Sequence, residues 1–236
     1  MKLPTFEHPT FEITVPSTET VVRARPFLVK EEKILLMAQQ SDNDRDIIFA
    51  IKQILDNCVV SEGFTSNDLT TFDLEYLFIK LRAQSVNNII DVSYRDNEDE
   101  KQYDFKIDLD DIIVKRNKEM DRKIQLTDTV GVVMQYPSIN VVEAAPELAG
   151  VNEIVDYTIR SCIKQVFDED NVYELKDFSN AEVTEFLDSL DVISYEKIRA
   201  FVESIPTVYY KIEYTNSMGN KRTIELESLR DFFTWG

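Results

Sequence analysis

Histidine is nearly absent from this chain, cysteine and glycine are scarce, and basic residues are heavily outnumbered. There are one His, two Cys, five Gly and 26 Lys plus Arg against 44 Asp plus Glu in 236 residues. Each shortage removes a class of chemistry. A Ser-His-Asp or Cys-His apparatus needs a positioned imidazole, and the sole candidate, His8, stands between Glu7 and Pro9 in a segment that reads as a tail. A structural zinc site needs about four Cys or His ligands, and the chain has three such residues with no CxxC pair. Gly63, Gly131, Gly150, Gly219 and Gly236 form neither GxGxxG nor GxxxxGK[ST], so the backbone cradles for dinucleotides and nucleoside triphosphates are missing. No cofactor and no small-molecule substrate is expected.

The formal net charge of -18 argues against a nucleic-acid partner, because such binding draws its affinity from clustered Lys and Arg. Acidic charge spread over both halves suits solubility or a basic partner. No run of eighteen apolar residues is present, so no transmembrane segment is expected. The opening MKLPTFEHPTFEITVPS lacks the apolar core of a secretory signal, and cytosolic synthesis is the expectation. Cys58 and Cys162 each fall within an apolar helical pattern, where a reduced thiol packs as a small hydrophobe.

What the chain does have is apolar periodicity, with 43% hydrophobic residues, enough for a stable core. Phe11, Ile13 and Val15 alternate with polar residues, Pro16-Ser17-Thr18 signals a turn, and the alternation resumes from Val21 to Phe27, so residues 1–28 read as a β arm. Pro4 and Pro9 make its first ten residues an extended tail. Lys30 to Gln40 reads as a helix. A second helix follows Ser41 with the stripe Ile47, Ile51, Ile54, Leu55 and Cys58, and a third carries Leu74, Leu77, Phe78 and Leu81. Val92, Tyr94, Phe105, Ile107 and Leu109 then alternate on either side of Asp96-Asn97-Glu98-Asp99-Glu100, as in a β hairpin with a charged tip.

Strand-like runs KIQL and GVVMQYPS, followed by Pro137 and Pro146, mark a connector. Beyond it Val155, Ile159, Cys162, Ile163 and Val166 repeat the earlier helical stripe at an offset of 108, and Val183, Phe186, Leu187 and Leu190 repeat the next at 109. Ile198, Phe201, Val202 and Ile205 form one more helical pattern before Pro206. Tyr210, Ile212 and Tyr214 precede the turn Asn216 to Asn220, and the returning TIELESL resembles KIDLDDI at 106–112. The fold class expected is α+β: two related helix-helix-β-hairpin units with an N-terminal β arm, arising by degenerate tandem duplication. The boundaries are 1–28 for the arm, 29–118 for the first unit, 119–149 for the connector with short strands, and 150–236 for the second unit.

Carboxylates are the remaining chemical candidates, for acid-base work or a divalent cation. Asp96, Glu98 and Glu100 alternate at one tip and Asp168, Glu169 and Asp170 follow a helix end, but neither supplies the glycine turn and distal Glu of an EF-hand loop, and a solvated, edge-protecting tip is the simpler reading. This leaves an acidic cation-binding protein or a carboxylate-based hydrolase as the alternative function. The aromatic content is more unusual. Tyr209, Tyr210, Tyr214, Phe232, Phe233 and Trp235 crowd the end of the chain, where core packing and a docking surface are both open readings. Partner-contact candidates are Phe6, Phe11, Phe27, Tyr209, Phe232, Phe233 and Trp235.

Four segments resemble a known family in order along the chain. RPFLVKEEKILLMA (25–38) is similar to the N-terminal signature of the T4-type phage baseplate hub assembly proteins. FDLEYLFIKLRAQS (72–85), FLDSLDVISYEKIRAFVESIP (186–206) and YTNSMGNKRTIELESLRDFF (214–233) resemble later parts of the same family. None is a catalytic motif, so the resemblance transfers no site residues. It implies a non-enzymatic protein of a contractile tail baseplate, with other phage baseplate hub or tail proteins as partners, located in the host cytoplasm during assembly and in the virion tail if retained. An assembly chaperone and a structural subunit both fit. Some relatives carry Cys pairs near the hairpin tips, where this chain has Asp96 to Glu100 and Asn216 to Asn220.

Overall fold

The computed structural model describes residues 6–40, 44–116, 120–144 and 151–232. In chain order the elements are strands β1 (Phe11–Thr14) and β2 (Val21–Ala24), helices α1 (Val29–Gln39), α2 (Asp44–Cys58) and α3 (Thr71–Ser85), and strands β3 (Ile89–Arg95), β4 (Gln102–Asp108) and β5 (Ile113–Lys115). Strands β6 (Lys123–Gln125) and β7 (Gly131–Met134), helices α4 (Ile139–Glu143) and α5 (Val151–Cys162), and strands β8 (Ile163–Phe167) and β9 (Val172–Glu174) come next. Helices α6 (Asn180–Asp188) and α7 (Val192–Glu203), strands β10 (Thr207–Thr215) and β11 (Lys221–Leu226), and the short helix α8 (Leu229–Phe232) complete the series. All the described sheets are antiparallel, and the α+β class holds.

The chain divides into two compact units, residues 1–115 with 207–236, and residues 116–206. The boundaries thus fall near 115 and 206, and not at the proline-bearing connector. The cause is one long-range pairing. β5 joins β10 with Thr207 opposite Lys115, Val208 opposite Val114 and Tyr209 opposite Ile113, which places the last hairpin, β10–β11, in the first unit. The second unit is an insertion between two hydrogen-bonded strands.

The first unit is built around α3. A polar-apolar stripe would suit a surface helix, but Phe72, Leu74, Leu77, Phe78, Ile79 and Leu81 are buried on several sides of α3, and it is a central element. Its start is fixed by a reciprocal cap: Thr70 Oγ1 accepts from the Asp73 amide at 3.2 Å and donates to Asp73 Oδ2 at 2.6 Å. The α2 stripe is as expected, with Ile51, Ile54, Leu55 and Cys58 fully buried. The β1–β2 hairpin is bound to its own unit. Ile13, Val15, Val22 and Ala24 are buried, and the Arg25 amide donates to the Cys58 carbonyl at 2.9 Å.

The same arm is held by charge. Arg25 Nη2 lies 2.9 Å from Glu31 Oε1, and Glu31, fully buried, also accepts from the Leu28 amide at 2.9 Å. Burial by itself would raise the Glu31 carboxyl, but the hydrogen bonds from Arg25 and Leu28 outweigh it and hold the group below the ordinary carboxylate range.

The second unit packs a four-stranded sheet, in the order β6-β7-β8-β9, with helices α5, α6 and α7 around Val132, Met134, Ile159, Cys162, Val183, Leu187, Ile198 and Phe201. One expectation is overturned here. Ile163 and Val166 continue the helical spacing of Val155, Ile159 and Cys162, but α5 ends at Cys162 and both residues lie in β8, paired with β7. β-branched residues suit a half-buried ladder, and partners across the sheet decide between two states that the spacing alone leaves equal. Asp168, Glu169 and Asp170 accordingly form the turn of the β8–β9 hairpin and do not follow a helix end.

Candidate functional site

Chemistry-bearing side chains of the first unit gather at the tips of its two longer hairpins. In β3–β4, Val92 faces Phe105 and Tyr94 faces Tyr103, leaving Asp96 to Glu100 as the tip. In β10–β11, Tyr214 faces Arg222, and the tip Asn216 to Asn220 closes through Gly219 at φ +87°, a conformation that favours glycine. Each tip opens with the same local device. Asp96 Oδ1 accepts from the Glu98 amide at 2.7 Å, and Asn216 Oδ1 accepts from the Met218 amide at 3.1 Å.

The tips are joined to one another by side chains. Tyr214 Oη donates to Asp96 Oδ2 at 2.5 Å, Asn216 Nδ2 and Asn220 Nδ2 donate to the two Glu98 oxygens at 2.6 and 2.7 Å, and the Ser217 hydroxyl donates to Asp99 Oδ2 at 2.8 Å. Arg222 Nε approaches Asp96 Oδ2 at 3.3 Å. Rings complete the junction, with Tyr214 centred 4.8 Å from Tyr103 and 5.2 Å from Phe105. The solvated tip expected from the sequence is therefore corrected at Asp96, which is fully buried. A lone buried carboxylate would be costly, and these donors are what make its burial tolerable.

The electrostatics follow from the contacts. The hydrogen bond from Tyr214 lowers the Asp96 carboxyl, opposed by burial and aided by the Glu98 amide and Arg222. Asp99 is lowered foremost by the phenol of Tyr103, which donates to it at 2.6 Å. Burial, then the bond to Asp96, pushes the Tyr214 phenol up to about 12. The carboxylates stay ionised and the phenol stays protonated at neutral pH, which is the arrangement of a structural clamp. Among the described residues, no group of three or more His, Cys, Asp and Glu is placed to hold a metal ion.

Of the residues singled out for partner contact, Phe6 stands 84% exposed just before β1. Phe11 is half-buried on β1, where it lines a groove of about 360 Å³ with Tyr76, Lys80, Gln84 and Asp110. Phe27 lies against Phe78 with ring centroids 5.9 Å apart. Tyr209 is half-buried in β10, donates to Glu225 at 3.0 Å and lies under the Lys115 ammonium, 4.3 Å from its ring centre. Phe232 is 2% exposed, so its ring belongs to the core of the first unit and not to its surface. Phe233 and Trp235 lie outside the described residues. The sequence did not point to Tyr103 or Arg222, whose roles depend on contacts between the two tips.

The cysteines are buried, and burial raises their thiols to about 11 for Cys58 and about 12 for Cys162, which removes the thiolate a nucleophile would need. Among the described residues no helix is long and apolar enough to cross a membrane.

Residues 8–234 match the family model described as T4 bacteriophage base plate protein. No curated protein sequence and no solved structure matches the chain.

Proposed function

The chain belongs to the T4 bacteriophage base plate protein family, and on that premise we propose that it is a structural or assembly component of the baseplate hub of a contractile tail, acting through protein contacts and not through a reaction. The observation that carries this reading is the extent of the match, which spans both compact units and nearly all the chain between residues 8 and 234. A second observation supports it. Of the carboxylates that a hydrolase or a cation site would need at the β3–β4 tip, Asp96 and Glu98 are engaged by Tyr214, Asn216, Asn220 and Arg222 of the other hairpin.

The partners in this reading are other hub or tail proteins, met in the host cytoplasm during assembly. Phe6 and Phe11 of the arm are assigned as contacts, and Phe233 and Trp235 remain candidates. The exposed segment before β1 and short edge strands can add to a neighbour's sheet, where backbone hydrogen bonds supply affinity and alternate side chains select the partner. Deleting residues 1–10 is expected to leave thermal unfolding nearly unchanged while weakening hub assembly.

Mass spectrometry of purified virions and of assembly intermediates from infected cells tests the proposal. Recovery in both makes the chain a retained subunit, and recovery only in intermediates makes it an assembly chaperone. Recovery in neither overturns the reading.

A further inference from the structure

The second unit carries an apolar groove that its own fold leaves open. Val166 of β8 and Tyr173 of β9 stand opposite each other in the ladder, the turn after β9 adds Leu175 and Phe178, and α6 adds Val183 and Phe186. The space is about 300 Å³, at the small end for a ligand pocket and sufficient for one or two side chains. Its wall is nearly all carbon. The one charged lining residue, Glu182, is occupied at the start of α6, where it accepts from the Ser179 amide at 2.8 Å and the Ser179 hydroxyl at 2.7 Å. A polar metabolite would find almost no convergent donors or acceptors there.

Two features say what would fill it. First, β9 is an edge strand of its sheet among the described residues, and Tyr173 and Phe178 of the groove are 37% and 42% exposed. An edge strand accepts another extended chain, and the period of two then aims every second side chain of that chain to the same face. Second, the stretch from Ile163 to Asp188, which supplies the whole lining, holds eight carboxylates and two lysines. That is a net of -6 out of -18 for the chain, and Glu169, Asp170, Asp177 and Glu185 within it are exposed. Such a rim attracts a basic chain and repels a second copy of this acidic one.

We propose that the groove between β8, β9 and α6 docks an extended segment of a partner protein in which apolar residues alternate with Lys or Arg. The apolar side chains enter between Tyr173, Phe178 and Phe186, and the net acidic charge of the 163–188 stretch attracts the basic ones on the other side of the added strand. This deepens the reading of the chain as an assembly component and rests on it, but its test uses no phage particle, so its failure is distinguishable from failure of that reading.

The test is fluorescence anisotropy with the full-length protein and three labelled heptapeptides: Lys-Val-Lys-Phe-Lys-Val-Lys, its Glu-for-Lys counterpart, and its Ser-for-Val-and-Phe counterpart. The basic apolar peptide should bind saturably, at least about tenfold more tightly than either counterpart, and weaken about tenfold between low and moderate salt. Phe178→Ser should weaken it about tenfold or more. The double variant Asp177→Lys with Glu185→Lys, which alters only exposed side chains, should weaken the binding and reduce its salt dependence even if Phe178→Ser fails to fold. Equal binding of the Ser peptide, binding unaffected by the charge reversal, no binding of the basic apolar peptide, or a concentration-dependent dimer seen by sedimentation that competes with it, each overturns the proposal.

Discussion

Tyr214 donates its phenolic proton to Asp96 across 2.5 Å, joining two hairpin tips that lie 118 residues apart in the chain. The bond draws Asp96 into the interior of the first unit, while Asn97, Glu98 and Glu100 of the same tip stay exposed. It also couples that unit to pH. Asp96 and Asp99 are both lowered in the folded protein, so their contribution is present above the ordinary aspartate range near pH 4 and is lost as pH falls through their lowered values. Tyr214→Phe should lower the melting temperature at pH 7 by roughly 2–4 °C and shrink the loss between pH 5 and pH 2, as followed by circular dichroism.

Glu75 carries the opposite sign. Burial, with the nearby charge of Asp231, raises its carboxyl to about 7, against a hydrogen bond accepted from the Leu229 amide at 3.4 Å. A raised folded value means that the contribution is present below the unfolded value of about 4.5 and is lost as pH rises through 7. Glu75→Gln keeps an acceptor for Leu229 and removes the charge. Urea denaturation at pH 8 should show the variant more stable by about 1–3 kcal/mol, with little difference at pH 5.

Arg25 and Glu31 give a third test. Arg25→Met leaves a buried carboxylate with, among the described residues, only Lys30, at 3.4 Å, as an ion-pair partner. The cost should be about 2–3 kcal/mol by urea denaturation, and Arg25→Met with Glu31→Leu should recover most of it, because uncompensated burial and not the pair itself is what destabilises.

Both thiols should be silent towards a disulfide reagent at pH 8 in the native protein and should react in full after denaturation, since burial raises Cys58 to about 11 and Cys162 to about 12. Rapid native reaction of either would place that thiol at the surface.

Gly131 offers a steric test in the second unit. A Cβ there would lie 2.2 Å from Cζ of Phe167 and 2.8 Å from the Ile124 carbonyl oxygen. Gly131→Ala should therefore destabilise by about 1–3 kcal/mol through displacement of the Phe167 ring, measurable by thermal unfolding.

The elements that were legible in the sequence are those whose period is local. Ile51, Ile54, Leu55 and Cys58 mark α2 by spacing alone, and Val92 to Leu109 mark β3–β4 by alternation around a polar tip. What depended on distant partners was not legible. The pairing of Val114 with Val208 leaves no trace in either segment, so local signals point to the prolines at 137 and 146 as the boundary and group the last hairpin with its sequence neighbours. Ile163 fits a helix and a strand equally by spacing, and β7 decides the matter. At the tips, a run of acids reads as solvated unless its donors are known, and the distant ones of Asp96 come from residues 214 and 222.

The insertion of residues 116–206 between β5 and β10 also sets an order of events during synthesis. β5 leaves the ribosome with no strand to pair with and waits until the whole second unit and then Thr207 to Tyr209 have emerged. The intervening unit, whose sheet and helices come from one continuous stretch, can close first, and the three-stranded sheet of the other is necessarily among the last pieces to zip. A nascent chain stalled before Thr207 would thus display an unmatched β edge, the kind of surface that invites premature association.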